Sequence, residues 1–391
     1  MQIIGRRFDT SQPVAVEVRD GVIAEIRPAP PDAVGTGAGD NLPWIAPGFV
    51  DLQVNGYGGD DFTSGTLTVD QVAAIGKRLD AGGVTSYCPT VTTHSLEVHQ
   101  HAMRTIAEAC RAMPEVACRV AGIHLEGPYI SPDDGPRGAH PQAHCRPPDW
   151  DEFRRLQDAA EGAIRIVTLS PEYDDACDFI ARVCESGVQV AIGHTRADSR
   201  QIAAAVDAGA RMSTHLGNGA HPLIRRHPNY IWDQLADDRL FASLIADGHH
   251  LPAAVVKSMV RAKTPSRCVL VSDVTSLAGM PPGRYETGLG AIEVLDDLKL
   301  VVAGQRDILA GASLPISYCV ANVMRFAGVR LKTAVEMAST RPAQLIGQEP
   351  GKLEVGTAAN LVLFDIPDEE GRDPLNVRAT VNSGQIVHGE V

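Results

Sequence analysis

The sequence contains no apolar run approaching the ~18 to 20 residues that a membrane-spanning helix needs. Its first residues also lack the basic segment and apolar stretch of a secretory leader, so a soluble, cytoplasmic protein is expected. No Cys-x-x-Cys pair occurs. The eight cysteines (Cys88, Cys110, Cys118, Cys145, Cys177, Cys184, Cys268 and Cys319) are scattered along 391 residues, a length that needs no disulfide staples, and read as reduced thiols. No basic stripe offsets the formal charge of −13, which argues against a nucleic-acid partner. A phosphorylated small substrate would therefore need a local cluster of positive charge. Neither an internal repeat nor a targeting segment is visible.

What is present is an apolar fraction of 44 %, enough to bury a large core in one big domain with a satellite. Residues 1–47 read as all-β, with a hairpin around Asp20-Gly21 inside an alternating stretch at 14–26. The Pro/Gly/Ala-rich segment 28–41 reads as a loop. From Pro47 onward, strands alternate with helices, and eight β-runs can be placed at 49–54, 83–92, 120–126, 164–170, 188–194, 211–215, 241–247 and 268–273. Thr68 with Gln71 and Asp198 with Gln201 have capping-box spacing, and Pro252 has the position of a first-turn proline. Eight such units predict a (β/α)8 barrel. A β-rich excursion at 291–302 and helices at 313–326 and 333–338 follow. The chain then returns to β pattern at 353–357, 360–364, 377–381 and 385–388, the last two around Ser383-Gly384. Strands at both ends predict a small β-sandwich domain from 1–47 and 346–391, flanking a catalytic barrel at 48–345.

The stretch 211–250 organises the chemistry. It reads as two adjacent barrel strands that finish in Thr214-His215 and in Asp247-Gly248-His249-His250, with Arg225, Arg226 and His227 on the loop between them. Three candidate metal ligands stand at strand ends: Glu126 in His124-Leu125-Glu126-Gly127-Pro128, His194 in Gly193-His194-Thr195, and His215. Two imidazoles and one carboxylate at the carboxyl-end mouth of a barrel make a Zn²⁺-type site with room for water. Asp273 ends a fourth strand, where a carboxylate can take a proton from activated water and return it to a leaving amine. Singly, each residue also suits a structural role, as a hydrogen-bonded histidine, a cap or an ion-pair partner. Four at strand ends of one barrel point to a metallohydrolase. The Arg225-Arg226-His227 cluster reads either as a solvated loop or as a phosphate clamp, because guanidinium groups bind phosphate in bidentate fashion.

With these residues in place the chain resembles the amidohydrolase superfamily, and within it the N-acetylglucosamine-6-phosphate deacetylase family, over nearly its whole length. The resemblance rests on Pro47-Gly48-Phe49-Val50-Asp51-Leu52-Gln53-Val54-Asn55-Gly56, His124 to Pro128, Gly138-Ala139-His140, Gly193-His194-Thr195, Thr214-His215-Leu216 with Asn218, Ile245 to Gly248 with His250, Ser272-Asp273, and Leu309-Ala310-Gly311. It implies one divalent ion per subunit, Zn²⁺ first with Fe²⁺, Mn²⁺ or Co²⁺ as alternatives, on Glu126, His194 and His215. Asp273 would be the general base and acid, with His140 polarising the acetamide carbonyl. Substrate contacts would come from Ala139, His140, Asn218, Gly219, Arg226, His250, Leu309, Ala310 and Gly311. Arg226 would reach the active site of a neighbouring subunit, which implies a homodimer.

Two departures from the family pattern stand out. Gln53 and Asn55 occupy the positions where much of the superfamily has His-x-His, which implies one ion rather than two. Gly217 and His221 flank Asn218-Gly219-Ala220 where the family usually has a bulky residue and Asn-Ala-Met, which leaves the sugar open. The expected reaction is removal of the acetyl group from an N-acetylated amino-sugar 6-phosphate, giving acetate and the free amine. The alternatives are a galactosamine epimer, an unphosphorylated amino sugar, an N-acyl amino acid, or a non-catalytic interaction protein on the same fold.

Overall fold

The computed structural model describes residues 1–31, 42–287, 290–367 and 373–391; most of the loop read at 28–41 lies outside them. The chain opens with β1 (Gln2–Arg7), β2 (Pro13–Arg19), β3 (Val22–Pro28) and β4 (Trp44–Pro47). Eight strands then run parallel in sequential order: β5 (Phe49–Val54), β6 (Val84–Thr92), β7 (Ile123–Glu126), β8 (Ile164–Leu169), β9 (Gln189–Ile192), β10 (Met212–Ser213), β11 (Phe241–Leu244) and β12 (Cys268–Leu270). Helices separate most of them. The boxes at Thr68–Gln71 and Asp198–Gln201 form, each side chain and backbone amide pair bonding reciprocally. Pro252 is the residue before the helix Ala253–Lys263, not in its first turn.

The barrel closes between its first and last strands just beyond β12. There Asp273 N–H donates to the Gln53 carbonyl (3.0 Å), Asn55 N–H to that of Val274 (2.8 Å), and Ser272 N–H to the Asp51 carboxylate (3.1 Å). The seam therefore lies at the level of the predicted site. A buried cluster of Val50, Leu52, Cys88, Ile166, Met212 and Val269 packs with Ala343 and Leu345 of the helix Thr340–Leu345.

After β12 come four antiparallel strands, β13 (Gly283–Thr287), β14 (Gly290–Val294), β15 (Leu300–Val302) and β16 (Gln305–Leu309), which extend the predicted excursion on both sides. The strand β16 returns the chain to the seam, where Ala312 N–H donates to the Asp273 carbonyl (3.2 Å). The helices Ile316–Ala327 and Leu331–Ala338 follow, then β17 (Leu361–Asp365), β18 (Asn376–Asn382) and β19 (Gln385–Gly389).

Both chain ends build one seven-stranded sheet, in the order β19-β18-β17-β4-β1-β2-β3, antiparallel except where β1 meets β4. Ile3, Val16, Ile45, Leu361, Leu363 and Val381 form its core. Its two hairpin tips touch: Asp20 and Gly21 have φ of 50° and 79°, Ser383 and Gly384 of 50° and 78°, and a Cβ on Gly384 would lie 2.6 Å from Gly21 Cα. Only glycine fits that contact. Residues 353–357, expected as a strand, form a turn instead, because Gly356 is left-handed (φ 87°) and the Thr357 hydroxyl folds back onto the Lys352 and Glu354 carbonyls. The strand expected from 120 begins only at Ile123, since Gly122 (φ 133°) breaks the extended run where the Arg165 side chain would meet a Cβ.

Buried polar bonds fasten this sheet to the barrel. Thr380 donates to the Asp80 carbonyl (2.6 Å) and Asn382 to that of Thr85 (2.8 Å), while Arg119 holds the Asp80 carboxylate through two nitrogens at 3.0 and 2.8 Å. Removing one member of a buried ion pair strands the other in a poorly solvating interior. Arg119→Leu is expected to lower stability by ~3 to 5 kcal/mol, read from denaturant unfolding; a change within experimental error would show the pair to be dispensable.

Candidate metal and substrate site

Glu126 is the last residue of β7 and points into the barrel mouth, almost wholly buried. His194, His215 and Asp273 lie just beyond β9, β10 and β12 rather than on the strands, because their backbones turn left-handed, with φ of 49°, 30° and 55°. The extended ladder ends there, and the side chains are redirected toward Glu126. His194 Nε2 lies 3.2 Å and His215 Nε2 3.0 Å from the same Glu126 oxygen, Oε1, and the two nitrogens are 3.0 Å apart.

That triangle has the dimensions of a coordination sphere, since ligand atoms at ~2.0 to 2.1 Å around a tetrahedral ion are roughly 3.3 Å apart. The protonation pattern fits as well. His194 Nδ1 faces the Pro136 carbonyl at 2.8 Å and must carry the ring proton, which leaves Nε2 as a bare lone pair. Gly219 and Gly138 hold the ring: a Cβ on Gly219 would be 2.7 Å from His194 Nδ1, and one on Gly138 would be 3.3 Å from Cε1. Burial would raise the Glu126 carboxyl, but the His194 and His215 imidazoles against it hold it well below its ordinary range. Burial would lower His215, yet the Glu126 bond and charge raise it.

His140 stands beside this set, its ring 4.4 Å from that of His194, and it offers a nitrogen within 4.8 Å of the Glu126 and His194 ligand atoms. Burial, followed by the neighbouring imidazole of His194, pushes its pKa down to about 3, so the ring is neutral. Nδ1 meets the Thr93 hydroxyl at 2.9 Å. The closer triangle is Glu126, His194 and His215, and His140 is placed to address a ligand held there.

Asp273 accepts an N–H from Asn55 at Oδ1 (2.7 Å). Burial and the charge of Glu126 push its pKa up to about 6, against the pull of His215, His250 and the Asn55 bond. Gln53 donates in the same way to Glu126 Oε1 (2.9 Å). Both amides thus turn their N–H groups toward carboxylates.

A buried chain that sequence reasoning missed joins the strands beneath the triangle. His124 Nδ1 faces the Leu52 carbonyl (3.0 Å) and so carries the proton; Nε2 then accepts from the Thr168 hydroxyl (2.7 Å), which in turn accepts from Thr214 (2.7 Å). The chain links β5, β7, β8 and the residue before His215. Its one sequence signal was His124, two residues before Glu126 and on the same face.

The other predicted residues fall into two groups. Asn218 folds back on the His215 carbonyl through its backbone (2.9 Å) and side chain (3.1 Å), which sets Gly219 against His194. Ala139 adjoins His140, and Leu309, Ala310 and Gly311 arrive beside Asp273 at the seam. Arg226 is not brought to the cluster of its own chain: residues 222–228 form an exposed loop on which Leu223 is 92 % exposed and the Arg226 side chain has no hydrogen bond or ion pair among the described residues. His250 is buried against Asp247, whereas His249 turns away to the Asp297 carbonyl (3.1 Å). A Cβ on Gly217 would meet Met259 and Leu251, and His221 Nδ1 is engaged by the Tyr230 hydroxyl (3.0 Å).

A parallel eight-stranded barrel with a Glu/His₂ cluster at its carboxyl-end mouth defines a metallohydrolase scaffold, and the chain belongs to the amidohydrolase family, whose pattern matches residues 44–387. Within that family it is 38 % identical to the N-acetylglucosamine-6-phosphate deacetylase of Homo sapiens over 355 residues, 88 % of this chain and 83 % of the relative. It is 34 % identical to the N-acetylgalactosamine-6-phosphate deacetylase of Escherichia coli O157:H7, with 90 % of each chain covered. The crystal structure of N-acetyl-D-glucosamine-6-phosphate deacetylase from Mycobacterium smegmatis superimposes with a TM-score of 0.85 at 30 % identity, over 99 % of this chain and 100 % of that one.

Because the hydroxyl of Thr168 serves two buried partners, Thr168→Val leaves a bare His124 nitrogen and an unpaired Thr214 hydroxyl. It is expected to cost ~1 to 3 kcal/mol of stability and to weaken metal retention on dialysis. Unchanged unfolding and unchanged metal content together would remove this chain from the supports of the site.

Proposed function

We propose that the protein hydrolyses the acetamide of N-acetylglucosamine-6-phosphate to acetate and glucosamine-6-phosphate. The observation that carries this reading is the Glu126–His194–His215 triangle with Asp273 beside it, on a chain 37 and 38 % identical to two deacetylases of that substrate. When bound at the triangle, a divalent ion supplies Lewis acidity, bringing the pKa of a water ligand to ~7 and polarising a carbonyl. Zn²⁺ suits the Glu/His₂ set best.

The chain's own residues do the rest. Gln53 and the two glycines keep Glu126 and His194 oriented. Asn55 engages Asp273 at Oδ1, and Oδ2 has no protein partner among the described residues. That oxygen takes the proton of the attacking water and returns it to the amide nitrogen as the C–N bond breaks. Neutral His140 donates an N–H to the acetamide oxygen as negative charge gathers on it. Asn218 and Gly219 line the sugar side, with Ala139 and Leu309–Gly311 closing around it.

Arg226 serves the phosphate of a neighbouring subunit in a homodimer. Support comes from its exposed loop, where Leu223 and Ile224 lie open beside two arginines, a surface that a second copy would cover. The eight cysteines are all free, which supports a reducing, cytoplasmic setting. The barrel at 48–345 is the catalytic domain, and the ends at 1–47 and 346–391 are its support.

The reading is tested by acetate release from N-acetylglucosamine-6-phosphate, its galactosamine epimer and unphosphorylated N-acetylglucosamine; release from none of them would overturn it. Asp273→Asn is expected to retain metal while kcat falls by ~10² to 10⁴-fold; substantial residual turnover would remove Asp273 as the base. Arg226→Ala is expected to raise KM for phosphorylated substrate by roughly ten- to a hundredfold, as for a lost charged hydrogen bond, and to leave the unphosphorylated sugar unaffected. Mixing the Arg226→Ala and Asp273→Asn proteins should regain activity through sites built from two chains. No recovery on mixing would place Arg226 in its own subunit's site.

A further inference from the structure

Beyond Leu244 the chain continues through Ile245-Ala246-Asp247-Gly248-His249-His250 at the mouth of the barrel. Asp247 is 4 % exposed, yet its carboxylate is fully occupied. Oδ1 accepts the backbone N–H groups of His249 (2.8 Å) and His250 (2.9 Å), and Oδ2 lies 2.8 Å from His250 Nδ1. A carboxylate in that setting accepts only, so Nδ1 carries a proton and Nε2 is the ring atom left for a ligand. The turn itself is braced from outside. Asn322 donates to the Ala246 carbonyl (2.8 Å), and Arg325 donates to Asn322 Oδ1 (2.6 Å).

We infer that Asp247 is a positioning residue, which holds His250 by its Nδ1–H in one orientation and aims Nε2 at an oxygen of the substrate, accepting from a hydroxyl as the neutral ring or donating to the phosphate as the imidazolium that a carboxylate partner supports. This rests on the deacetylase reading for its ligand, though the geometry of the pair does not. His250 follows β11, which lies between β10 and β12, the strands that lead to His215 and to Asp273. Burial would raise the Asp247 carboxyl, but the hydrogen bond and charge of His250 bring it below its ordinary value, as a committed carboxylate–imidazole pair requires. The oxygen that Nε2 meets belongs either to the phosphate or to a sugar hydroxyl, and the two give different kinetic outcomes.

The isosteric exchange Asp247→Asn separates positioning from mere support. The asparagine Oδ1 can still take the two backbone N–H groups, but its NH₂ then faces Nδ1 and drives the proton to Nε2. In serine-protease triads the same exchange costs ~10⁴-fold in kcat through the wrong tautomer. Here Asp247→Asn should keep the unfolding midpoint and metal content, switch the His250 ring proton as read by imidazole ¹⁵N shifts, and lower kcat/KM at least tenfold. His250→Gln should lower it as well, and the double variant should be no worse than His250→Gln alone. A loss confined to phosphorylated substrate assigns the oxygen to the phosphate; an equal loss on the unphosphorylated sugar assigns it to a hydroxyl. An unchanged tautomer, an unchanged kcat/KM, or losses that multiply in the double variant would each overturn the inference. Should the wild-type protein release no acetate, the deacetylase reading falls, while the ¹⁵N spectra still decide the pair.

Discussion

Three buried ligand atoms, Glu126 Oε1 and the Nε2 atoms of His194 and His215, are brought within 3.0 to 3.2 Å of one another. With the His194 Nδ1–H committed to Pro136, its Nε2 sets a lone pair against the Glu126 carboxylate, and burial deprives the two of water that would screen the repulsion. The surrounding structure is therefore organised to force them together. His194 and His215 are held in the left-handed region, a strain of ~1 to 3 kcal/mol for each such residue. Anchors sit close by: His215 N–H donates to the Ser243 hydroxyl (2.7 Å), and Gly219 backs the His194 ring. Beneath them the Thr214–Thr168–His124–Leu52 chain ties three strands to the residue before His215, so a shift of one ligand breaks a bond to another element.

The same constraint explains where the barrel closes. Residues 51–55 and 272–274 meet by hydrogen bonds at the level of the triangle, which fixes Asp273 relative to Glu126 through the backbone rather than through a flexible loop. The excursion β13–β16 then delivers Leu309–Gly311 to that seam through the Ala312–Asp273 bond. Far from the mouth, the terminal sheet is tied to the start of β6 through Asp80 and Thr85. Order at one end is thus carried to the other by few, buried and satisfied polar contacts.

The barrel was legible because eight hydrophobic runs repeat with capped helices between them, and Glu126, His194, His215 and Asp273 stood out as polar residues closing those runs. Their left-handed backbones were not legible, since nothing local separates a histidine that ends a strand from one that turns just past it. The Leu353–Thr357 stretch alternated like a strand, but Gly356 sets the turn and its partners lie in β3, far away in sequence. Thr168 carried no signal at all: a threonine in a strand is common, and its two buried partners are 44 and 46 residues distant. Asp247 read as part of a motif, but its hold on His250 became visible only with the turn in three dimensions. Arg226 remained ambiguous for a different reason, because its side chain meets no partner among the described residues.

Charge accounts for the amides at 53 and 55. Glu126 and Asp273 are two buried carboxyls close enough for one to raise the pKa of the other, and burial of nearby Asp51 pushes its pKa up to about 7. A single divalent ion would balance Glu126 and Asp273 when both are ionised, whereas a second would leave uncompensated positive charge in a low-dielectric pocket. Imidazoles at these positions would add lone pairs that call for that second ion. Gln53 and Asn55 instead offer N–H donors, one to each carboxylate, and steady both without adding charge. Their own oxygens, Gln53 Oε1 and Asn55 Oδ1, are left buried and without protein partners among the described residues, a cost each amide bears for turning its donor side toward an acid. Stabilising the two carboxylates at the expense of two amide oxygens is what the proposed one-ion site, with Asp273 as its base, would require of positions 53 and 55.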